Sequence, residues 1–316
     1  MSFINQLATR LKKTSFIFKL MYNFFKYKIL SDYCFVKFSY FEIFRQNINL
    51  KNPKSLNEKI NWLKLYDRSD LHTLCADKIQ VRDYVKEKIG SSHLITLVNN
   101  NISLNELVPE NFPNTPFILK TNHNSGGTYI VLNKDESNWE EIHVFFEKQL
   151  KLNHYTKTKE WQYKSISPKI FAEKLLLNSD GKIPSDYKFH CFKGKVQFIQ
   201  LDINRETENH YRYYYDSSWN LLPFKWFPND WQKLSYGIKY SPVKNPLISI
   251  DKPNQLSKMI TISEKLSDVF SYSRIDLYEL NNRVYFGEIT FHHDSGLIPI
   301  LPKHWDYKLG KLLDLN

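Results

Sequence analysis

The chain has 316 residues, of which 42% are hydrophobic and 16% aromatic, with only 9 Gly and 13 Pro. This composition excludes a disordered or linker-dominated protein, and the length exceeds the ~100–200 residues of a usual domain, so we expect more than one packed lobe. The 44 Lys and Arg residues outnumber the 33 Asp and Glu residues, which gives a net charge of +11. Such an excess attracts polyanions, including nucleic acid, anionic lipid, ATP and acidic polysaccharide, without choosing among them.

The N-terminal 50 residues are predicted to be helical and basic. The apolar, aromatic stretch from Phe16 to Ile29 is interrupted by three lysines, so it contains no uncharged run long enough to span a membrane. No small-residue cleavage site of a signal peptide follows it. Two interpretations stay open: the segment packs on the body of the protein, or it contacts an anionic membrane surface.

Helices and strands then alternate irregularly. A capping-box pattern at Ser55 and Glu58 predicts a helix over 55–66, and a second helix is expected from near Asp77 to Gly90. Periodicity predicts strands over 117–120, 129–132, 170–173, 186–192, 196–203 and 211–216, helices over 137–152 and 253–270, and a hairpin over 273–291. This mixture, which lacks βαβ regularity, favours an α+β fold.

The three cysteines are odd in number and far apart: they are Cys34, Cys75 and Cys191. A disulfide framework or a structural zinc site is therefore not expected, and a reducing compartment, the cytoplasm, fits best.

The C-terminal hairpin contains the most informative pattern. Asp276 and Glu288 each lie among apolar and aromatic residues, and two acids brought opposite each other repel unless a cation lies between them. Pairing Leu280 with Val284, through an odd-length loop at 281–283, places both acids on one face, whereas a two-residue turn would place them on opposite faces. We therefore predict the odd loop and a Mg²⁺ site between the two acids.

Two further residues of the hairpin share that face. Thr290 can contribute its hydroxyl to the metal, and Arg274 can neutralise phosphate or a developing oxyanion. The alternative role for Arg274 is an ion pair across the strands.

Phosphate- and adenine-binding groups are expected earlier in the chain. Lys120 ends a predicted strand and precedes the loop 122–128, whose successive backbone N–H groups can surround an anion. We interpret the strand at 170–173 as an edge strand that runs into a hinge at 173–176, where backbone groups can pair with adenine.

The predicted strand at 186–192 has one polar face. The polar residues are Asp186, Lys188 and His190, and those of the other face are Tyr187, Phe189 and Cys191. A polar face of this kind suits a nucleotide cleft, and an ordinary solvated face has the same pattern.

The order of these motifs resembles the ATP-grasp superfamily, and more closely its TupA-like family, which is named for teichuronopeptide biosynthesis and occurs in surface-polysaccharide gene sets. The resemblance runs from about Pro53 to Leu309 and is carried by DK–VR (77–82), LKTNHNSGG (119–127), EKLL (173–176), DYKFHCF (186–192) and RIDLYE–GEITF (274–291). It implies an ATP-grasp fold of two α+β lobes that enclose ATP. The implied division is a helical, basic N-terminal region over 1–110, a small lobe over 111–178, and a large lobe with the metal-binding hairpin over 179–316.

The resemblance also implies roles for single residues. They are Lys78, Lys120 and Lys188 for the ATP phosphates, Glu173, Lys174 and Leu176 for the adenine hinge, Asp186 for the ribose, and Asp276, Glu288 and Thr290 for the metal. Thr290 stands where many members of the superfamily have Asn, a departure that predicts a weaker third metal contact.

The implied activity is that of a carboxylate–amine ligase with ATP and Mg²⁺ as cofactors. ATP phosphorylates a carboxylate, an amine attacks the acyl phosphate, and the candidates for stabilising the oxyanion are Arg274 and backbone amides near Gly296. The expected partners are an acidic sugar, such as a uronic acid of a surface-polysaccharide precursor, and an amino acid or simple amine. Arg205, Arg212 and Lys225, with the tyrosine run 211–215, are expected either to face that sugar or to form an ordinary strand with aromatic pairs.

Three other classes of protein compete with the ligase. A glycosyltransferase would commonly carry a DxD pair, which the sequence lacks. A sugar kinase on the same fold would release ADP without free phosphate. A nucleic-acid-binding module would leave the acid pair unexplained and has no motif here, so no nucleic-acid partner is expected. The expected location is the cytoplasm, at the inner face of the membrane if the N-terminal segment binds lipid.

Overall fold

The computed structural model describes residues 17–18, 20–203, 211–226 and 250–315. Helical residues at 17–18 and 20–29, here called the N-terminal helix, precede eight α-helices and nine strands in this part of the chain. The helices are α1 Asp32–Phe44, α2 Leu56–Tyr66, α3 Asp70–Ala76, α4 Val81–Ile89, α5 Trp139–Leu150, α6 His154–Thr158, α7 Leu256–Ser267 and α8 His304–Leu312. The strands are β1 Leu97–Ile102, β2 Phe117–Thr121, β3 Thr128–Val131, β4 Ile170–Lys174, β5 Asp186–Phe192, β6 Lys195–Ile203, β7 Tyr211–Tyr215, β8 Tyr272–Leu280 and β9 Arg283–Thr290. All strand pairings are antiparallel, so the expected α+β class is confirmed.

The helices before the first sheet follow their sequence signals closely. The capping box predicted at 55–58 is present at the start of α2. The helix expected from Asp77 begins only at Val81, because the Asp77 carboxylate accepts hydrogen bonds from the backbone N–H groups two and three residues later and forms a separate turn. Gly90 ends α4 with φ at 88°, a conformation that favours glycine.

The smaller sheet has the strand order β1-β4-β2-β3, and α5 packs on it through Ile142 and Phe146. Strand β4 is an inner strand, so its interpretation as an edge strand is wrong. Backbone pairing encloses it up to its end, where the N–H groups of Lys174 and Leu175 donate to carbonyls at 96 and 116. Of the segment 173–176, which was predicted to form the hinge, Leu176 is the first residue beyond these backbone pairings.

The larger sheet has the strand order β7-β6-β5-β8-β9 and two faces of opposite character. One face is apolar and packs against α4 and α7, with Phe189, Ile199 and Ile275 fully buried. The other face carries the alternating polar side chains, including Lys188 and Asp276, which are register partners on neighbouring strands. The split between faces predicted for the strand at 186–192 is thus confirmed.

The hairpin β8–β9 brings its two acids opposite each other, as predicted, but its turn and its register differ from the prediction. Asp276 lies opposite Glu288, as expected. The connection is a two-residue turn, Asn281–Asn282, with both residues at positive φ, and Leu280 pairs with Arg283; the predicted odd loop is wrong. A β-bulge between Asp276 and Leu277 absorbs the extra residue, Gly287, and returns Glu288 to the face of Asp276.

Candidate functional site

The acids of the hairpin are joined by the guanidinium of Arg274. Its Nε and Nη2 atoms donate to the two carboxylate oxygens of Asp276, both at 2.7 Å, and Nη2 also donates to Glu288 Oε1 at 3.2 Å. Arg274 and Asp276 are buried, whereas the side chain of Glu288 is 41% exposed. The alternative role for Arg274, an ion pair across the strands, is therefore present alongside its position at the centre of the site.

Burial and the neighbouring carboxylates shift the pKa of Arg274 in opposite directions. Burial alone would lower the pKa of Arg274, but the carboxylates of Asp276 and Glu288 outweigh it and raise the pKa above its ordinary value. The remaining Nη1 atom contacts His293 Nδ1 at 2.8 Å, and burial holds the pKa of His293 well below its usual range. A neutral imidazole can accept this hydrogen bond, so Arg274 stays fully charged in a fixed position.

A second cation lies on the same face of the sheet. Lys188 Nζ is 3.3 Å from Asp276 Oδ2, contacts Asp186 more closely, and lies 3.9 Å from Asp202 Oδ2. Gln200, the register partner of Lys188 on β6, donates to Asp202 at 3.0 Å. The predicted residues Asp186 and Lys188 therefore join the hairpin acids in one continuous polar row.

The smaller sheet contributes a separate charged group centred on Glu173. Its carboxylate accepts from Lys120 Nζ at 2.8 Å and from Arg82 Nη1 at 2.7 Å. The side chain of Glu173 therefore fixes two cations, in addition to any role of its backbone in the hinge. The side chain of Lys174 is exposed and that of Leu176 is half-buried, beside this group.

Lys78 links the two groups. Its Nζ donates to the carbonyl oxygen of Asn124 at 2.6 Å. Burial lowers the pKa of Lys78, opposed chiefly by the charge of Glu288, while the charge of Lys120 lowers it further. Lys78 is thus within electrostatic range of the hairpin acid on one side and of the Lys120–Glu173 pair on the other.

Side-chain hydrogen bonds anchor the loop at 122–128 to the protein, whereas the tip of the loop is exposed to solvent. The side chain of Asn122 donates to Asp77 Oδ2 at 2.9 Å, and that of Asn124 donates to Gln149 at 2.9 Å. Ser125 and Gly126 form the exposed tip, with Gly126 at φ 84°. An anchored loop whose tip faces solvent next to Lys78 is suited to closing over phosphate groups.

The arrangement of the hairpin fits Mg²⁺. Asp276 and Glu288 lie opposite each other, and Thr290 shares their face, which gives oxygen donors of the type that Mg²⁺ takes together with substrate phosphates. Both oxygens of Asp276 accept from Arg274, so a metal ion there would share Asp276 with the guanidinium or displace one of its hydrogen bonds. Within the described ranges, no three His, Cys, Asp or Glu side chains form a metal-binding group.

The surface expected to face an acidic sugar is not formed as predicted. Arg212 is largely buried, and it donates to Asp202 at 2.9 Å and to Asp294 at 2.7 Å. The tyrosines of β7 pack in the interior, with Tyr214 only 1% exposed, so the alternative interpretation as a strand with aromatic contacts is correct for them. Lys225 pairs through its backbone with Leu301. Arg205 lies outside the described residues.

Sequence reasoning assigned no role to two residues of the site. Arg82 lies four residues after Lys78 and pairs with Glu173, and Asp202 lies in the polar alternation of β6. The spacing of four and the period of two were visible signals for them. His293, which follows β9, contacts Arg274 because of the turn of the chain after β9.

That turn has three successive residues in the left-handed conformation, Asp294, Ser295 and Gly296, with φ of 45°, 55° and 63°. Two side chains of α2 hold it: Lys64 Nζ donates to the carbonyl of Ser295, and Asn61 Nδ2 to that of Gly296, both at 2.7 Å. Left-handed residues other than glycine cost ~1–2 kcal/mol each, so the turn persists because several contacts fix it.

We expect Lys64→Met to change how stability depends on pH. Burial lowers the pKa of Lys64 from 10.5 to about 8, so between pH 8 and 10 the unfolded chain holds a proton that the folded chain has lost. The free energy of unfolding of the natural protein, relative to the variant, should therefore rise by roughly 2 kcal/mol from pH 7 to pH 10. Urea unfolding across this range tests it, and a difference that stays constant with pH would show that Lys64 remains charged.

Comparisons with known proteins identify the family of the chain. Residues 58–314 match the family model described as TupA-like ATPgrasp. The chain belongs to the TupA-like ATP-grasp family. The family match spans both sheets and every residue assigned to the site, and members of the ATP-grasp family are ATP-dependent ligases. No curated protein matches the sequence.

Solved structures similar to this TupA-like chain are ATP-grasp ligases. D-alanine–D-alanine ligase from Bacillus anthracis has 17% identity and a TM-score of 0.35, over 69% of this chain and 57% of that one. The corresponding Helicobacter pylori enzyme has 15% identity and a TM-score of 0.39, over 82% and 65%. The ligase PsnB, solved with precursor, Mg and ADP, has 10% identity and a TM-score of 0.37, over 75% and 58%. The chain thus spans less than two thirds of the length of each.

Proposed function

We propose that this TupA-like protein is an ATP- and Mg²⁺-dependent carboxylate–amine ligase that acts in the cytoplasm on a precursor of a surface polysaccharide. The observation that carries the proposal is the placement of Asp276 opposite Glu288, with Arg274 bonded to both acids. Lys78 is within electrostatic range of Glu288 and of the Lys120–Glu173 pair. Paired acids next to separate lysines provide places for a metal and for phosphates on one surface. The bound Mg²⁺ would neutralise phosphate charge.

The residues of the chain have separable roles in this proposal. Lys78, Lys120 and Lys188 bind the phosphates of ATP, and the exposed tip at 125–126 closes over them. The hinge around Glu173, Lys174 and Leu176 binds adenine, and Asp186 faces the ribose. Because such transfer depends chiefly on positioning and charge neutralisation, no covalent nucleophile is needed.

The reaction would run in two balanced steps. The carboxylate of the substrate takes the γ-phosphoryl group of ATP, which gives an acyl phosphate and ADP. The amine then forms a C–N bond to the acyl carbon and loses a proton, the tetrahedral intermediate expels inorganic phosphate, and an amide results. Arg274, held by Asp276 and His293, donates to the oxyanion of that intermediate.

We propose a uronic acid as the carboxylate substrate and an amino acid or simple amine as the nucleophile. Support comes from the positive charge of the protein, +11, and from its membership of the TupA-like family. An acidic sugar is attracted by such a surface, whereas a cationic substrate is repelled.

The experiment is a matrix of uronic acids against amino acids, incubated with protein, ATP and Mg²⁺. A ligase produces ADP and phosphate in equal amounts together with a product whose mass is the sum of both substrates minus water. ADP without phosphate would identify a sugar kinase, and thermal stabilisation by UDP-sugars in place of ATP would identify a glycosyltransferase. Either result would overturn the proposal.

A further inference from the structure

The N-terminal helix (17–18 and 20–29) exposes a row of apolar side chains, here called the apolar stripe. It consists of Ile17, Phe18, Met21, Phe24, Phe25 and Ile29, each at least 48% exposed. Their spacing of three and four residues places them along one side of the helix. Exposed aromatic and aliphatic side chains scattered singly are ordinary, but six in one row mark an interaction surface.

The opposite side of the helix is fixed to the protein. Lys26 and the hydroxyl of Tyr22 both bond to Glu42 on α1. The rings of Tyr22 and Phe38 are 6.1 Å apart, and Tyr27 lies 6.0 Å from Phe35, a residue of the buried cluster beneath α1. The helix therefore has a defined orientation in which the apolar stripe faces outward.

The N-terminal sequence is basic. The first 31 residues contain six basic residues, Arg10, Lys12, Lys13, Lys19, Lys26 and Lys28, and no Asp or Glu. Lys26 is paired with Glu42, and Lys28 is exposed. On α1, the exposed Lys37 adds to them. A second copy of this chain would bring like charge against like charge, whereas an anionic lipid surface complements it.

We propose that the apolar stripe docks this protein on an anionic lipid bilayer, with the aromatic rings at the level of the headgroups and the lysines on the lipid phosphates. No helix in the described part of the chain is long and apolar enough to cross a membrane, so the helix lies along the surface. This docking uses none of the ATP-site residues and stands independently of the ligase reaction.

The test is co-sedimentation of the full chain with vesicles of phosphatidylcholine alone or with one third phosphatidylglycerol. We expect binding to the anionic vesicles, about tenfold weaker binding to the neutral ones, and loss of binding as salt is raised. The double variant Phe18→Glu/Phe24→Glu should lose about tenfold or more in affinity, because it removes apolar contacts and adds repelling charge. The control is Leu132→Glu, which places one glutamate on a 63% exposed apolar residue next to β3 and should bind as the natural protein does.

Two outcomes would overturn the proposal. In one, the natural protein fails to sediment with anionic vesicles. In the other, the protein forms a dimer in the absence of vesicles, and the double variant is a monomer. That result would show that the apolar stripe binds a second copy of the chain. Thermal unfolding of the variant checks that the fold is intact, which is expected since both phenylalanines are exposed.

Discussion

Glu288→Gln should abolish ATP turnover while leaving the fold intact. The side chain is 41% exposed and makes a 3.2 Å hydrogen bond to Arg274, so an amide of the same shape can replace it without leaving a buried charge unpaired. The variant loses the negative charge that the metal and the phosphates require, and we expect turnover to fall by about a hundredfold or more. Phosphate release from ATP and the rise in Tm caused by Mg²⁺-ATP are the two measurements.

Glu279→Gln is the matched control for this change. Glu279 lies in the same hairpin, three residues from Asp276, and its carboxylate accepts from the backbone of Gln255 just before α7. The same loss of charge there should leave turnover unchanged. A Glu288→Gln variant that released phosphate at the natural rate would disprove the metal site.

Lys78→Met should remove nucleotide binding at little cost in stability. The lysine is half-buried and its lowered pKa reports that its charge is poorly solvated, so removing it relieves a desolvation cost while the carbonyl of Asn124 loses its donor. We expect the two effects to cancel to within ~1 kcal/mol. Loss of a charge-assisted contact to phosphate should weaken ATP binding roughly 10- to 100-fold.

The readouts for this variant are the Tm without nucleotide and the shift of Tm with Mg²⁺-ATP. Lys86→Met, an exposed lysine on α4, serves as the control and should keep the full nucleotide-dependent shift. A Lys78→Met protein that unfolds at a much lower temperature yet binds ATP normally would make this lysine a structural residue.

The division of side chains between the two faces of the larger sheet was predictable, because it depends on alternation along single strands. Alternation along the strand at 186–192 and along the hairpin determines which side chains share a face, and the structure keeps that division. The paired acids Asp276 and Glu288 follow from the same period. Membership of the TupA-like family was also predictable, because it rests on the order of several short motifs rather than on any one.

The predictions that proved wrong concern contacts between residues that are distant in sequence. Strand β4 was taken for an edge strand because its outer partner β1 contains the polar run at 99–101, which gives no strand signal. Arg212 was placed at the surface because neither Asp202 nor Asp294 is marked by the sequence as its partner. Roles within the site, including those of Lys174 and Leu176, remain predictions that ligand binding must test.

The hairpin that presents the two acids has its register set by two features that compensate each other. The Asn281–Asn282 turn alone would place Glu288 on the wrong face, and the bulge at Gly287 corrects it. A Cβ at Gly287 would lie only 3.0 Å from the carbonyl oxygen of Asp276, so the bulge tolerates glycine best. A larger residue at position 287 that removes the bulge would therefore turn Glu288 to the face opposite Asp276, although both acids are still present.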